Sequence, residues 1–95
     1  MVYGLIKDLI PTKTCLKERN DGEFLIICNN DLSIYYLNEA AKDFYQMING
    51  HYTIDEIVSR LVEVYDVDLS ILQMDMLHLV RDLQWKHLLI LKDQL

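Results

Sequence analysis

The stretch Leu32-Ser33-Ile34-Tyr35-Tyr36-Leu37-Asn38-Glu39-Ala40-Ala41-Lys42-Asp43-Phe44-Tyr45-Gln46-Met47-Ile48-Asn49-Gly50 decides the fold, because the chain changes period inside it. Residues 32–37 are rich in aliphatic and aromatic side chains and read as a strand. Beyond them, Ala41, Phe44, Tyr45 and Ile48 recur at helical spacing and form one apolar stripe. Asn38 stands at the junction, where its side chain can accept an orphan backbone N–H and cap a helix over 38–49. Gly50 then supplies the left-handed residue that follows a helix. Strands are therefore expected before residue 38 and helices after it.

Upstream, Asp21-Gly22 lies inside Arg19-Asn20-Asp21-Gly22-Glu23 and predicts a tight hairpin turn. Phe24-Leu25-Ile26-Ile27-Cys28 is a short apolar run, the pattern of a buried strand. Asn29-Asn30-Asp31 is a second turn. These signals predict strands near 13–19, 23–29 and 32–37, antiparallel because the turns are too short for crossovers. Residues 1–12 are apolar, with Pro11 near their end, and read as an N-terminal arm or an extra edge strand. The main domain is expected over 13–95.

Downstream, Thr53-Ile54-Asp55-Glu56 is a capping box, Thr at the cap and Glu three residues on. It opens a helix over 54–65 with Ile54, Ile57, Val58, Leu61 and Tyr65 on one face. Asp66-Val67-Asp68 breaks that helix. Ser70 is the expected cap of a third helix, 70–86, whose core stripe is Leu72, Met76, Leu79, Val80 and Leu83. Ile71, Met74, Leu77 and Trp85 lie off that stripe. A helix with two apolar faces needs two things to pack against, and a partner can be the second. Leu88-Leu89-Ile90-Leu91 reads as a short tail or a last strand. The fold class is thus α+β, a three-stranded antiparallel sheet followed by three helices.

Composition narrows the function. The chain has 95 residues, enough for one small domain. Nine basic residues against fifteen acidic ones give a net charge of −6. The basic residues are scattered from Lys7 to Lys92, whereas a nucleic-acid surface clusters them. No stretch approaches the roughly 20 apolar residues of a membrane span, and the N-terminus lacks the basic start of a signal peptide. Cytoplasmic location is the default expectation. Cys15 and Cys28 read as reduced thiols, although adjacent strands can bring two cysteines within bridging distance. No glycine loop cradles phosphate, and no Cys or His pair has metal-ligand spacing. Asp55 and Glu56 serve the helix dipole. No enzyme activity, cofactor or metal is expected.

Three strands followed by three helices resemble the PqqD family, small proteins that assist pyrroloquinoline quinone biosynthesis. The same unit is the recognition element for precursors of ribosomally made, modified peptides. The resemblance rests on Tyr36-Leu37-Asn38-Glu39-Ala40-Ala41, on Ile48-Asn49-Gly50-His51-Tyr52-Thr53-Ile54-Asp55-Glu56-Ile57-Val58, and on Leu61 with Tyr65. Asp75-Met76, Leu83 and Leu88-Leu89 continue it, so it spans about residues 13 to 91. Tyr45 stands where the family often has Trp. Lys86-His87 stands where a Gly is usual, so the resemblance does not fix the last turn.

The resemblance implies a winged helix-turn-helix-like scaffold that holds a leader peptide as an added strand beside the third helix. On this chain the binding residues would be Leu32, Ser33, Ile34, Tyr35 and Tyr36 on the strand. Ile71, Met74, His78, Arg81 and Trp85 would line the helix, with Arg81 placed to meet an acidic leader residue. The implied partners are a precursor peptide and a modifying enzyme, such as a radical SAM protein or a peptidase. A winged-helix DNA-binding regulator shares the scaffold, but Arg81 and Lys86 are the only cations on the third helix. An accessory subunit that never touches substrate is the remaining alternative. An apolar N-terminal arm also invites strand exchange between two copies, giving a homodimer.

Overall fold

The computed structural model describes residues 3–93. A 3₁₀ turn at Tyr3–Leu5 precedes β1 (Ile10–Lys13), β2 (Lys17–Asn20), β3 (Phe24–Cys28) and β4 (Ile34–Asn38). Then come α1 (Glu39–Gln46), α2 (Ile54–Tyr65), α3 (Leu69–Trp85) and β5 (Leu89–Lys92). The fold is α+β, with an antiparallel sheet ordered β2-β3-β4 ahead of the three helices and a separate β1-β5 ribbon.

The strand expected over 13–19 is split between β1 and β2. The chain changes partner there: the Thr14 N–H donates to the Leu88 carbonyl, and the Leu16 N–H donates to the Cys28 carbonyl. The two halves therefore belong to different sheets. In the ribbon Pro11 lies opposite Leu91. The Thr14–Leu88 bond and antiparallel alternation make this a rung without ladder bonds, which suits a residue lacking N–H.

Turn chemistry sets the three-stranded sheet. Asp21 Oδ1 accepts from the Glu23 and Phe24 N–H groups, and Gly22 takes φ 99°. At the second turn the Asn29 N–H donates to the Ser33 carbonyl and Asp31 Oδ1 accepts from the Ser33 N–H. Both turns fall where Asp-Gly and Asn-Asn-Asp predict them.

The capping box of α2 forms in full: Thr53 Oγ1 accepts from the Glu56 N–H and Glu56 Oε1 accepts from the Thr53 N–H. The segment before β1 adds to it. The Leu9 carbonyl accepts from the Ile54 N–H and the Lys7 carbonyl from the Asp55 N–H, at 2.9 Å each. These are first-turn donors that an isolated helix leaves unsatisfied. Asp68, and not Ser70, caps α3; its carboxylate accepts from the Ser70 N–H and hydroxyl. The helix thus starts one residue earlier than expected. Asn49 Oδ1 accepts from the His51 and Tyr52 N–H groups, so Gly50, at φ 81°, sits in an Asx turn beyond the end of α1.

The core lies between the inner face of the sheet and the helices. Leu25, Ile27, Phe44, Tyr45, Ile57, Val58, Val80 and Leu83 are buried within it. Leu77, expected on the second face of α3, is buried as well, because the core covers more of the helix circumference than one stripe. Tyr45 is fully buried, and its hydroxyl donates to the Leu88 carbonyl at 2.8 Å, tying α1 to the start of β5. Burial first, then the neighbouring Cys15, raises its pKa far above the ordinary phenol value.

Candidate functional site

The three-stranded sheet has two open edges of opposite character. β2 reads Lys17-Glu18-Arg19-Asn20 and is exposed throughout. Charges of this kind discourage another strand from docking. β4 reads Ile34-Tyr35-Tyr36-Leu37-Asn38 and carries no charge.

Register fixes which backbone groups of β4 face outward. Ile34 lies opposite Cys28, Tyr35 opposite Ile27, Tyr36 opposite Ile26 and Leu37 opposite Leu25. The Asn29–Ser33 bond closes the hairpin one rung earlier. Alternation then makes Tyr35 and Leu37 the rungs bonded to β3, leaving the N–H and C=O groups of Ile34 and Tyr36 pointing away from the sheet. β4 pairs with no other strand among the described residues. Leu32 and Ser33 do not offer N–H groups in the same way: their donors go to the Asn29 carbonyl and to Asp31.

The side chains alternate too. Tyr36 is 64% exposed and Ile34 58% exposed, while Leu37 is buried and Tyr35 half-buried against the core. Leu32 is 72% exposed and holds φ 69°. A bulky side chain in that region is strained. It sits at the mouth of the β4 edge.

The C-terminal end of α3 meets this edge. Lys86 Nζ lies 5.2 Å from the centre of the Tyr35 ring and 2.8 Å from Asp82 Oδ2. The Lys86 carbonyl accepts from Asn29 Nδ2 at 2.6 Å. Asn29, Asp82 and Lys86 were not among the residues expected at the site. Their signal was present as an i, i+4 acid–base pair next to the final turn.

Ile71, Met74, His78, Arg81 and Trp85 are all exposed, Trp85 at 84% and Met74 at 53%. By 100° per residue their stripe begins roughly 60° round the helix from Lys86 and lies opposite the buried stripe, with Arg81 ending it beside buried Leu77. Lys86 is the α3-end residue seen against β4, through the Tyr35 ring, and it holds Asp82 beside it; the stripe itself is open to solvent. Arg81 makes no ion pair among the described residues.

Other chemistry is sparse. Among the described residues no group of three or more His, Cys, Asp or Glu side chains is arranged to hold a metal. The cysteines are free thiols; Cys15 packs against the core and Cys28 lines the outer side of the sheet. No helix among the described residues is long and apolar enough to cross a membrane. The site can offer two outward backbone rungs, apolar side chains around them and, at the end of α3, a lysine paired with Asp82.

Comparison with curated proteins found no match to this chain, and comparison with solved structures found none either. One family model matches residues 25–89, from the second residue of β3 to the first of β5, and so takes in the open edge and all three helices. Its description is Coenzyme PQQ synthesis protein D, and with well over half of its residues matched the chain belongs to the PqqD family.

Proposed function

We propose that this protein is a non-catalytic accessory of peptide modification. It binds the leader region of a ribosomally made precursor as an added strand on β4 and presents the precursor to a separate modifying enzyme. The observation that carries this reading is the bare, uncharged edge of β4, where Ile34 and Tyr36 direct both backbone groups and exposed side chains outward. Backbone pairing supplies affinity with little demand on sequence, and pockets for alternate side chains supply specificity. The family's role in coenzyme PQQ synthesis supports an accessory in peptide-derived cofactor biosynthesis.

In this reading Ile71, Met74, His78 and Trp85 form the wall beside the added strand. Met74 suits such a wall because its thioether adapts to different neighbours. Arg81 meets an acidic leader residue at the exposed rim, where a pair contributes at most about 1 kcal/mol. A DNA-binding role is disfavoured by the net charge of −6 and the lack of a cationic recognition helix.

Calorimetry with the leader region of a precursor peptide encoded by the same genome tests the proposal. Met74→Asp should weaken binding by about tenfold or more, the scale of losing a buried apolar contact. Arg81→Ala should weaken it about threefold, chiefly at low salt. Unchanged affinity in a folded Met74→Asp protein would place the wall elsewhere. A leader that binds without protecting the Ile34 and Tyr36 amides from hydrogen exchange would remove the added strand.

A further inference from the structure

The sheet has an outer face, and that face is apolar. An antiparallel sheet with one face on a core ordinarily turns polar side chains to water. Here the outward residues of β3 are Phe24, Ile26 and Cys28, and those of β4 include Ile34 and Tyr36. Phe24 and Tyr36 meet edge to face with ring centres 6.0 Å apart. No described element covers them, since the core lies on the opposite side. Beside them is a shallow cavity of about 180 Å³ lined by Lys17, Glu18, Arg19, Ile26, Cys28 and Ile34.

Charge identifies what covers it. Glu18 is already engaged by Lys13 at 2.6 Å. Lys17 and Arg19 form no ion pair among the described residues. Lys17 and Arg19, the latter close enough to Asp21 to help hold its carboxylate low, thus border an apolar strip on its β2 side in a chain whose net charge is −6. A second copy of this chain fits poorly. A twofold contact through this face would gather four cations, while the one carboxylate lining the cavity is taken. Like charges brought together at an interface oppose association.

We infer that the outer face of β2-β3-β4 is the docking surface for the modifying enzyme, through an apolar strip on that enzyme flanked by carboxylates. The enzyme as occupant rests on the function proposed above; the surface shares the Ile34 and Tyr36 side chains with the β4 site but not the outward backbone groups of that edge. One sheet then serves two partners, the peptide along its edge and the enzyme across its outer face.

The test measures two affinities on one protein. A purified peptide-modifying enzyme encoded by the same genome and the leader peptide are titrated separately against the wild type and the double variant Lys17→Glu, Arg19→Glu. Both positions are exposed, so the variant should fold. Enzyme affinity should fall about tenfold, as expected for reversing two charges that face carboxylates, and leader affinity should stay within about twofold. In the wild type, saturating enzyme should slow alkylation of Cys28 at least about fivefold relative to Cys15, because a covered thiol loses access to reagent. Unchanged enzyme affinity in the double variant overturns the inference, as does unslowed alkylation of Cys28. A wild-type protein that binds leader but not enzyme also overturns it, and so does a dimer in sedimentation that the double variant dissolves. A wild-type protein that binds enzyme in this charge-dependent way but not leader supports the docking face and sinks the peptide reading instead.

Discussion

His87 shows how a local rule is kept by an unexpected residue. It holds φ 60°, and its N–H donates to the Gln84 carbonyl while the Leu88 N–H reaches the Leu83 carbonyl. This is the paired-bond helix ending that ordinarily places Gly in the left-handed position. The family resemblance puts a Gly near this point, and the backbone still takes the glycine conformation around a histidine. A side chain in that conformation costs roughly 1–2 kcal/mol, offset in part by the greater freedom of an unfolded glycine. His87→Gly should therefore stabilise the protein by about 0.5–1 kcal/mol in urea unfolding, with the slope unchanged. A destabilised variant would show that the imidazole does more for the fold than its strained backbone costs. Leu32 holds the same kind of conformation with its side chain in water.

Among elements, the turns and caps are where charge matters most. Asp21 is held below the ordinary carboxylate range first by the Phe24 N–H, Asp31 by the Ser33 N–H, and Asp68 by the Ser70 hydroxyl. A depressed folded pKa gives stability that is present above the unfolded value, near about 4, and lost as pH falls through the folded one. The melting temperature should fall between pH 5 and pH 2.5, and Asp21→Asn, which keeps an acceptor for the turn, should flatten that fall. An equally steep fall in the variant would locate the acid sensitivity elsewhere. These turns were legible in the sequence because Asp-Gly, Asn-Asn-Asp and Thr-x-x-Glu act through neighbours only a few residues away. The β4 edge was legible for the same reason. The strand at 13–19 was not, since its division depends on Leu88 and Cys28, partners that local pattern does not identify. Leu77 was misplaced because a stripe on a helical wheel does not say how widely the core wraps the helix. The contacts of Asn29, Asp82 and Lys86 depend on how α3 ends against the sheet, which also needs tertiary structure.

At the scale of the whole molecule, the β1-β5 ribbon joins distant parts of the chain. Ile10 lies opposite Lys92 and Lys13 opposite Leu89. The β4 edge and the outer face of the sheet sit between these strands in sequence. The consequence concerns the order of events in time. Closing so long a loop in an otherwise open chain costs about 4 kcal/mol in entropy, so the ribbon is a poor place to begin folding. It should latch after the sheet and helices have drawn its strands together, and be the first part to let go. Leu91, half-buried in the ribbon, reports on this. Leu91→Ala should speed unfolding about tenfold in stopped-flow measurements and leave the folding rate within about twofold, as for a contact absent from the transition state. A slowed folding rate would mean that the latch closes early. Otherwise the domain keeps time like a box whose lid is fitted last, with its working surfaces complete before the final strand is seated.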